Sequence, residues 1–221
     1  MRVRLQKDIE KLTEQVMSLA ALVEEHVRMA MKAIECRDGA LAKKVIDGDL
    51  EIDHREVDVE EECLKVLALH QPVADHLRYI VAVLKMNNDL ERIGDLAVNI
   101  AERAEFISRQ GPIQIPFDYF TMAQSAQEML ANSLDALVNR DLALAYRVCA
   151  QDDDVDMMKR VMQDQFVREL QKKQVNVEAM LNLLFVSRHL ERVADHATNI
   201  AEDVIYMITG EIHRHRGSDF K

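Results

Sequence analysis

The sequence predicts an all-α protein built as two tandem, pseudo-symmetric three-helix bundles, and three observations lead there. Six glycines and three prolines in 221 residues fall well short of the roughly 26 that average usage would supply, so the turn punctuation of a β-rich fold is missing. Apolar residues make up 48% of the chain and recur at intervals of three and four, the spacing of one helix face. A thirteen-residue segment also returns one hundred positions later, which marks an internal duplication.

The elements follow in order. A first helix spans about Leu5 to Cys36, with Leu5, Ile9, Leu12, Val16, Leu19, Val23, Val27, Ala30 and Ile34 forming a bundle seam. Arg37-Asp38-Gly39 ends it. A second helix runs from about Ala40 to Ala68 and stops before Gln71-Pro72. The third, from about Val73 to Arg109, carries Val83, Met86, Leu90, Ile93, Ala97, Ile100, Ala104 and Ile107. Gly111, Pro112 and Pro116 bring three turn-formers together, so residues 109–117 read as the joint between a first bundle, 1–110, and a second, 117–221. The second half repeats the seam as Leu183, Val186, Leu190, Val193, Ala197, Ile200, Val204 and Met207 and ends near Gly210. Each helix is expected to be on the order of 45 Å long.

The duplication is specific. Leu90-Glu91-Arg92-Ile93-Gly94-Asp95-Leu96-Ala97-Val98-Asn99-Ile100-Ala101-Glu102 shares nine of thirteen positions with residues 190–202, LERVADHATNIAE. Upstream, Arg37-Asp38 matches Arg140-Asp141 at an offset of 103, which places Asp49 and Asp53 on Asp152 and Asp156. At about 100° per residue, Glu91, Asp95 and Glu102 lie within roughly 40° of one another, opposite Leu90, Ile93, Ala97 and Ile100. Glu191, Asp195 and Glu202 do the same. Like charges at i, i+4 cost a few tenths of a kcal/mol, so such a stripe has no local stability rationale. Hard or borderline metal ions bind carboxylate clusters; a merely solvated acidic face is the simpler reading of one stripe, and recurrence in both halves favours metal. Arg92 and Arg192 are expected ion-pair partners, and Asn99 and Asn199 are either ligands or hydrogen bonders.

Charge and composition exclude other classes. A net charge of −11 repels nucleic acid and anionic membranes; a cation or a basic protein face fits better. The segment from Met1 shows no signal-peptide apolar stretch, and the apolar runs fall far short of about 20 residues, so an unexported chain that spans no membrane is expected. Cys36, Cys63 and Cys149 form no C-x-x-C and read as reduced core thiols of a cytoplasmic protein. The methionines at helical spacing read as core filler. Glu51 and His54 have the E-x-x-H spacing of di-iron bundles, but the second half offers Asp154 and Met157 there. His26, His70, His76, His189 and His196 are scattered, with His196 of interest beside Asp195, and His213-Arg214-His215 reads as a tail. No Gly-rich phosphate loop, nucleophile elbow or Cys/His pair is present, so no catalysis is expected.

At the duplicated motif the sequence resembles the PhoU family of phosphate-signalling regulators. The resemblance rests on E/D-x-x-x-D, here Glu91-Arg-Ile-Gly-Asp95 and Glu191-Arg-Val-Ala-Asp195, on AKKVIDGDLEID in the second helix, and on the two-half layout. It covers essentially the whole chain. One departure is Ala194, where the first copy has Gly94; that position is expected to face away from the stripe. The resemblance implies a cytoplasmic, non-catalytic regulator, dimeric, that couples a phosphate ABC transporter, through its ATPase subunit, to a sensor histidine kinase and keeps phosphate-starvation genes off. It implies contact with the membrane only through those partners, and none with nucleic acid. It also implies multinuclear clusters of iron or another metal (zinc, nickel or magnesium), with Glu91, Asp95, Glu191 and Asp195 as ligands and Asp49, Asp53, Asp152, Asp156, Glu102 and Glu202 as additions. With no anion site visible, free phosphate is not expected to be sensed directly. Two alternatives are a metal-storage protein and a regulator of the same family serving another ion transporter or a persistence response.

Overall fold

The computed structural model describes residues 2–111, 118–172 and 176–211. The expected joint from Pro112 to Pro116 and the His213-Arg214-His215 tail lie outside the described residues. Six helices fill them: α1 (Arg2–Cys36), α2 (Gly39–His70), α3 (Ala74–Ser108), α4 (Tyr119–Asn139), α5 (Leu142–Leu170) and α6 (Val177–Thr209). Five are close to the expected length. The exception is α4, whose 21 residues span only about 32 Å.

The same capping chemistry makes the turn between the first and second helices of both repeats. Arg37 (φ 52°) and Arg140 (φ 50°) adopt the left-handed conformation that closes α1 and α4. Asp38 and Asp141, the next residues, cap α2 and α5: Asp38 accepts from the amides of Ala40 and Leu41, and Asp141 from that of Leu144. Arg37 also reaches across to the end of α3, donating to the carbonyls of Ile107, Gln110 and Gly111 at 2.9, 2.6 and 2.8 Å.

Each repeat is a three-helix bundle, and the two bundles pack mainly through α3 on α6, with α1 touching α4. The third helix of each repeat is therefore covered on several sides. Leu90, Ile93, Ala97 and Ile100 and their counterparts Leu190, Val193, Ala197 and Ile200 are fully buried.

Polar pairs cross the α3–α6 joint antiparallel, and they differ on its two sides. Lys85 donates to Asp203 at 2.9 Å while lying 5.0 Å from the Tyr206 ring centroid. The duplication maps Lys85 onto Phe185 and Asp203 onto Arg103, and there the contact is a cation–π pair, Arg103 over Phe185 at 5.6 Å. Nearby, Asp89 accepts from His196 at 2.7 Å and from Asn199 at 3.2 Å. The joint is thus symmetric in backbone and unsymmetric in chemistry.

Two expectations are corrected. Cys63 is buried and Cys149 half-buried, and burial pushes both thiols up to about 12, but Cys36 is exposed, because at about 100° per residue it points away from the α1 seam that ends at the buried Ile34. The methionines are not all core: Met86 and Met122 are fully buried, while Met157 is 63% exposed.

Candidate functional site

The carboxylates of α2 and α3 meet along the outer seam of the first repeat, and those of α5 and α6 along that of the second. In the first repeat Asp49 is half-buried, and its carboxyl is raised by burial and then by Asp53 and Asp95. Glu91 is raised in the same way, by burial first and then by Asp95, with Arg92 opposing and Glu56 and Asp53 adding. The four residues paired by the repeat therefore form one electrostatic cluster spanning two helices. In the second repeat, burial, then Glu191, Asp152 and Asp156, push Asp195 up to about 6, with His196 opposing. Asp152 is raised by burial and Asp156, against a 3.3 Å hydrogen bond donated by Thr198.

The clusters have different cations within reach. Arg92 lies 3.3 Å from Glu91 and 3.2 Å from Asp95, on its own helix. In the second repeat Lys159 on α5 crosses to Glu191 at 2.5 Å. Its counterpart at an offset of 103 is Glu56, raised by burial and by Glu60 and Asp53, whose backbone and side-chain oxygens accept from Asn87. Position 56 thus adds a negative charge to the first cluster, where Lys159 neutralises the second. Glu56 and Lys159 were missed from sequence, although both fall one turn beyond Asp53 and Asp156 on the same face, where an offset comparison shows the inversion.

Glu102 and Glu202 sit further along α3 and α6, where Glu202, like Asp152, acts on the Cys149 thiol. They lie seven residues past Asp95 and Asp195, about 10 Å along the helix, and Glu102 is 3.8 Å from Arg103. Asn99 and Asn199 act as hydrogen bonders, Asn99 to the Asp95 carbonyl at 2.7 Å and Asn199 to Asp89. Glu51 pairs with Arg55, so the E-x-x-H spacing builds nothing. Gly94 does not face away from the carboxylates: a Cβ there would sit 3.1 and 3.2 Å from Ile52 atoms and 3.7 Å from Asp49 Oδ1. It is buried beneath α2, because α3 is covered by α2 on that side as well as by α1 and α6.

Metal fit depends on donors and on geometry. The donors suit a hard cation, being mutually repelling carboxylates from two rigid helices. Among the described residues, however, no three His, Cys, Asp or Glu side chains converge as a ready-made ligand set. A cation would have to draw the side chains together from their present rotamers.

The raised Asp195 has a stability consequence. A carboxyl held above its unfolded value favours the fold below about pH 4, and that contribution is lost as pH rises through about 6. Asp195→Asn is expected to raise the melting temperature at pH 8 and to change nothing near pH 4. The open edge of Asp195 to solvent limits the gain to about 1 kcal/mol or less. Thermal melts of both proteins across that range check it; an equal shift at pH 4 and 8 refutes the repulsion.

These features define an internally duplicated helical-bundle protein with carboxylate clusters on its outer seams. Comparison with known families then places it: the PhoU domain model matches residues 16–104 and 120–204, one match per repeat, and the chain belongs to the PhoU family. It is 38% identical to the phosphate-specific transport system accessory protein PhoU homolog of Aquifex aeolicus, over 97% of each chain. Its identity to the Escherichia coli phosphate-specific transport system accessory protein PhoU is 31%, covering 96% of this chain and 88% of that one. The crystal structure of PhoU from Pseudomonas aeruginosa superposes with a TM-score of 0.89 at 33% identity, covering 93% of this chain and 99% of that one. Among the described residues no helix is long and apolar enough to cross a membrane.

Proposed function

We propose that the chain is a non-catalytic accessory regulator of phosphate uptake, working by contact on the cytoplasmic side of a phosphate-specific ABC transporter. In this reading it joins the transporter's ATPase subunit to a sensor histidine kinase, holds the phosphate-starvation response off when phosphate is plentiful, and works as a dimer. The observation that carries it is the likeness to a phosphate-specific transport accessory protein over 97% of both chains. The electrostatics agree. Asp49 and Glu91 in the first cluster and Asp152 and Asp195 in the second are raised by burial and by neighbouring carboxylates, an environment that repels an anion, so the transporter and not free orthophosphate supplies the signal.

The test is a pull-down with the full chain as bait against the purified transporter ATPase and the kinase sensor domain. Both are expected to be retained, and retention of neither overturns the proposal. Retention of another ion transporter's ATPase in their place supports the alternative regulator. Calorimetry of the metal-free protein with orthophosphate is expected to show no saturable binding.

The carboxylate clusters favour a second, compatible reading, that they hold metal ions such as iron, zinc, nickel or magnesium. A cation supplies charge that relieves the repulsion. Asp49, Asp53, Glu91 and Asp95 would hold it in the first repeat, and Asp152, Asp156, Glu191 and Asp195 in the second. Because the Lys159 ammonium already contacts Glu191, the first cluster should take metal more tightly. Elemental analysis of protein purified without chelator is expected to show most of the metal lost in Glu91→Ala/Asp95→Ala and less lost in Glu191→Ala/Asp195→Ala. Equal content in wild type and both variants ends this reading.

A further inference from the structure

We propose that the groove between α4 and α5 docks a basic, amphipathic helical segment of a partner protein. The groove holds about 370 Å³ and carries Met129, Met157, Met158, Val161 and Met162 along its length. Met157 and Val161 are 63% and 50% exposed, which for paired large apolar groups in a concavity marks a contact surface and not a solvated face. Methionine side chains adapt to varied apolar partners.

The duplication supplies the comparison that makes this groove informative. In the first repeat the equivalent seam is polar: Arg55 donates to Ser18 Oγ at 2.7 Å and to its carbonyl at 3.2 Å, Lys11 pairs with Glu62 at 2.9 Å, and the hollow there is lined mostly by Lys11, Gln15, Asp58, Glu61, Glu62 and Lys65. At an offset of 103, Arg55 becomes Met158 and Ser18 becomes Thr121, while His54 and Asp58 become Met157 and Val161. The second seam has exchanged polar and charged residues of the first for apolar ones, so only the second offers an apolar floor.

Charge selects the occupant. Asp118, Glu128 and Asp154 line the groove, and among the described residues no Lys or Arg does. The side-chain oxygen of Gln151, also in the lining, is buried without a hydrogen-bond donor, which a donor from a docked chain would satisfy. From Gln151 to Gln165 the groove follows about 21 Å of α5, enough for a helix of roughly 14 residues. Apolar anchors at i, i+3 or i+4 and i+7, flanked by Lys or Arg, match such a groove. An anionic lipid surface would meet the acidic rim unfavourably.

The proposal rests on the reading of the chain as a regulator that works by contact, and its test is separable from that reading. The full chain, with methyl-labelled methionine, is titrated with an amphipathic Leu/Lys helical peptide of about 14 residues. The methyl signals of Met129, Met157, Met158 and Met162 are expected to move, and those of Met86 and Met122 to stay. Met157→Asn/Val161→Asn, which leaves charge unchanged and alters two exposed side chains, should weaken binding at least tenfold with no change in melting temperature. Met158→Arg, which restores the residue of the first repeat opposite Thr121, should do the same. Three results overturn the proposal: unchanged affinity in both variants, perturbation centred on the carboxylate clusters, or binding of anionic phosphatidylserine vesicles that the variants abolish while peptide binding persists. Light scattering that shows the variants splitting a chain pair would reassign the groove to self-association. If the transporter ATPase or kinase domain is still retained when the peptide test fails, the groove assignment falls and the contact-regulator reading stands.

Discussion

Lys85→Ala is expected to destabilise the protein by about 3–5 kcal/mol, because it removes an ammonium from a carboxylate that is almost wholly buried. The Asp203 side chain is 2% exposed and Lys85 reaches it at 2.9 Å from the other repeat. An ion pair of this kind adds little over a well-packed apolar pair, but breaking it from one side takes the cross-joint cation from a carboxylate that water reaches poorly. For a chain of this size the loss corresponds to a fall in melting temperature on the order of 10 °C. The double variant Lys85→Ala/Asp203→Asn should recover most of it, since a neutral amide costs far less to bury than a carboxylate. Arg103→Ala, the duplicated counterpart of removing Asp203, should cost only about 1 kcal/mol, because it loses a partly exposed cation–π contact. Denaturant unfolding of the four proteins provides the comparison. Equal losses for Lys85→Ala and Arg103→Ala would show that the two sides of the joint are energetically alike.

Gly94→Ala is expected to destabilise by about 1–2 kcal/mol, although alanine is the better helix former by about 1 kcal/mol. The added methyl would sit 3.1 and 3.2 Å from two carbons of Ile52. Ile52 is itself fully buried and cannot swing clear, so overpacking outweighs propensity. The second repeat already contains the compensated version: Ala194 stands for Gly94, and Val155, one methylene smaller, stands for Ile52. Gly94→Ala/Ile52→Val should therefore return to near wild-type stability, and a double variant no better than the single one would refute the exchange.

The architecture was legible because helices announce themselves locally. Spacings of three and four located all three helices of the first repeat to within a few residues, and Arg37-Asp38 marked a turn that the structure builds from a left-handed residue and an aspartate cap. The pairing of Asp49 and Asp53 with Glu91 and Asp95 was likewise readable, since the repeat carried all four in register. What periodicity cannot report is which neighbour covers a given face. Gly94 lies off the carboxylate stripe by angle and still packs beneath α2, because α3 is enclosed by three helices and has no single back. Met157 looked like core for the related reason that an apolar spacing is the same whether its own chain or another covers it. Cys36 looked buried because it lies within an apolar-periodic segment, yet by angle it falls off the seam that ends at Ile34.

The unlike halves of the α3–α6 joint act as a pairing code. Were the α3 of one chain to lie against the α3 of another in the same geometry, Lys85 would face Arg103 at both ends of the crossing, two cations against two cations. The first half thus refuses its own likeness, while the second, paired with itself, would set Asp203 against Phe185 with no cation from Lys85 to meet it. A duplication that began with interchangeable parts has become a lock whose two pieces are no longer copies, so separately expressed halves should reassemble as mixed pairs and not as twins.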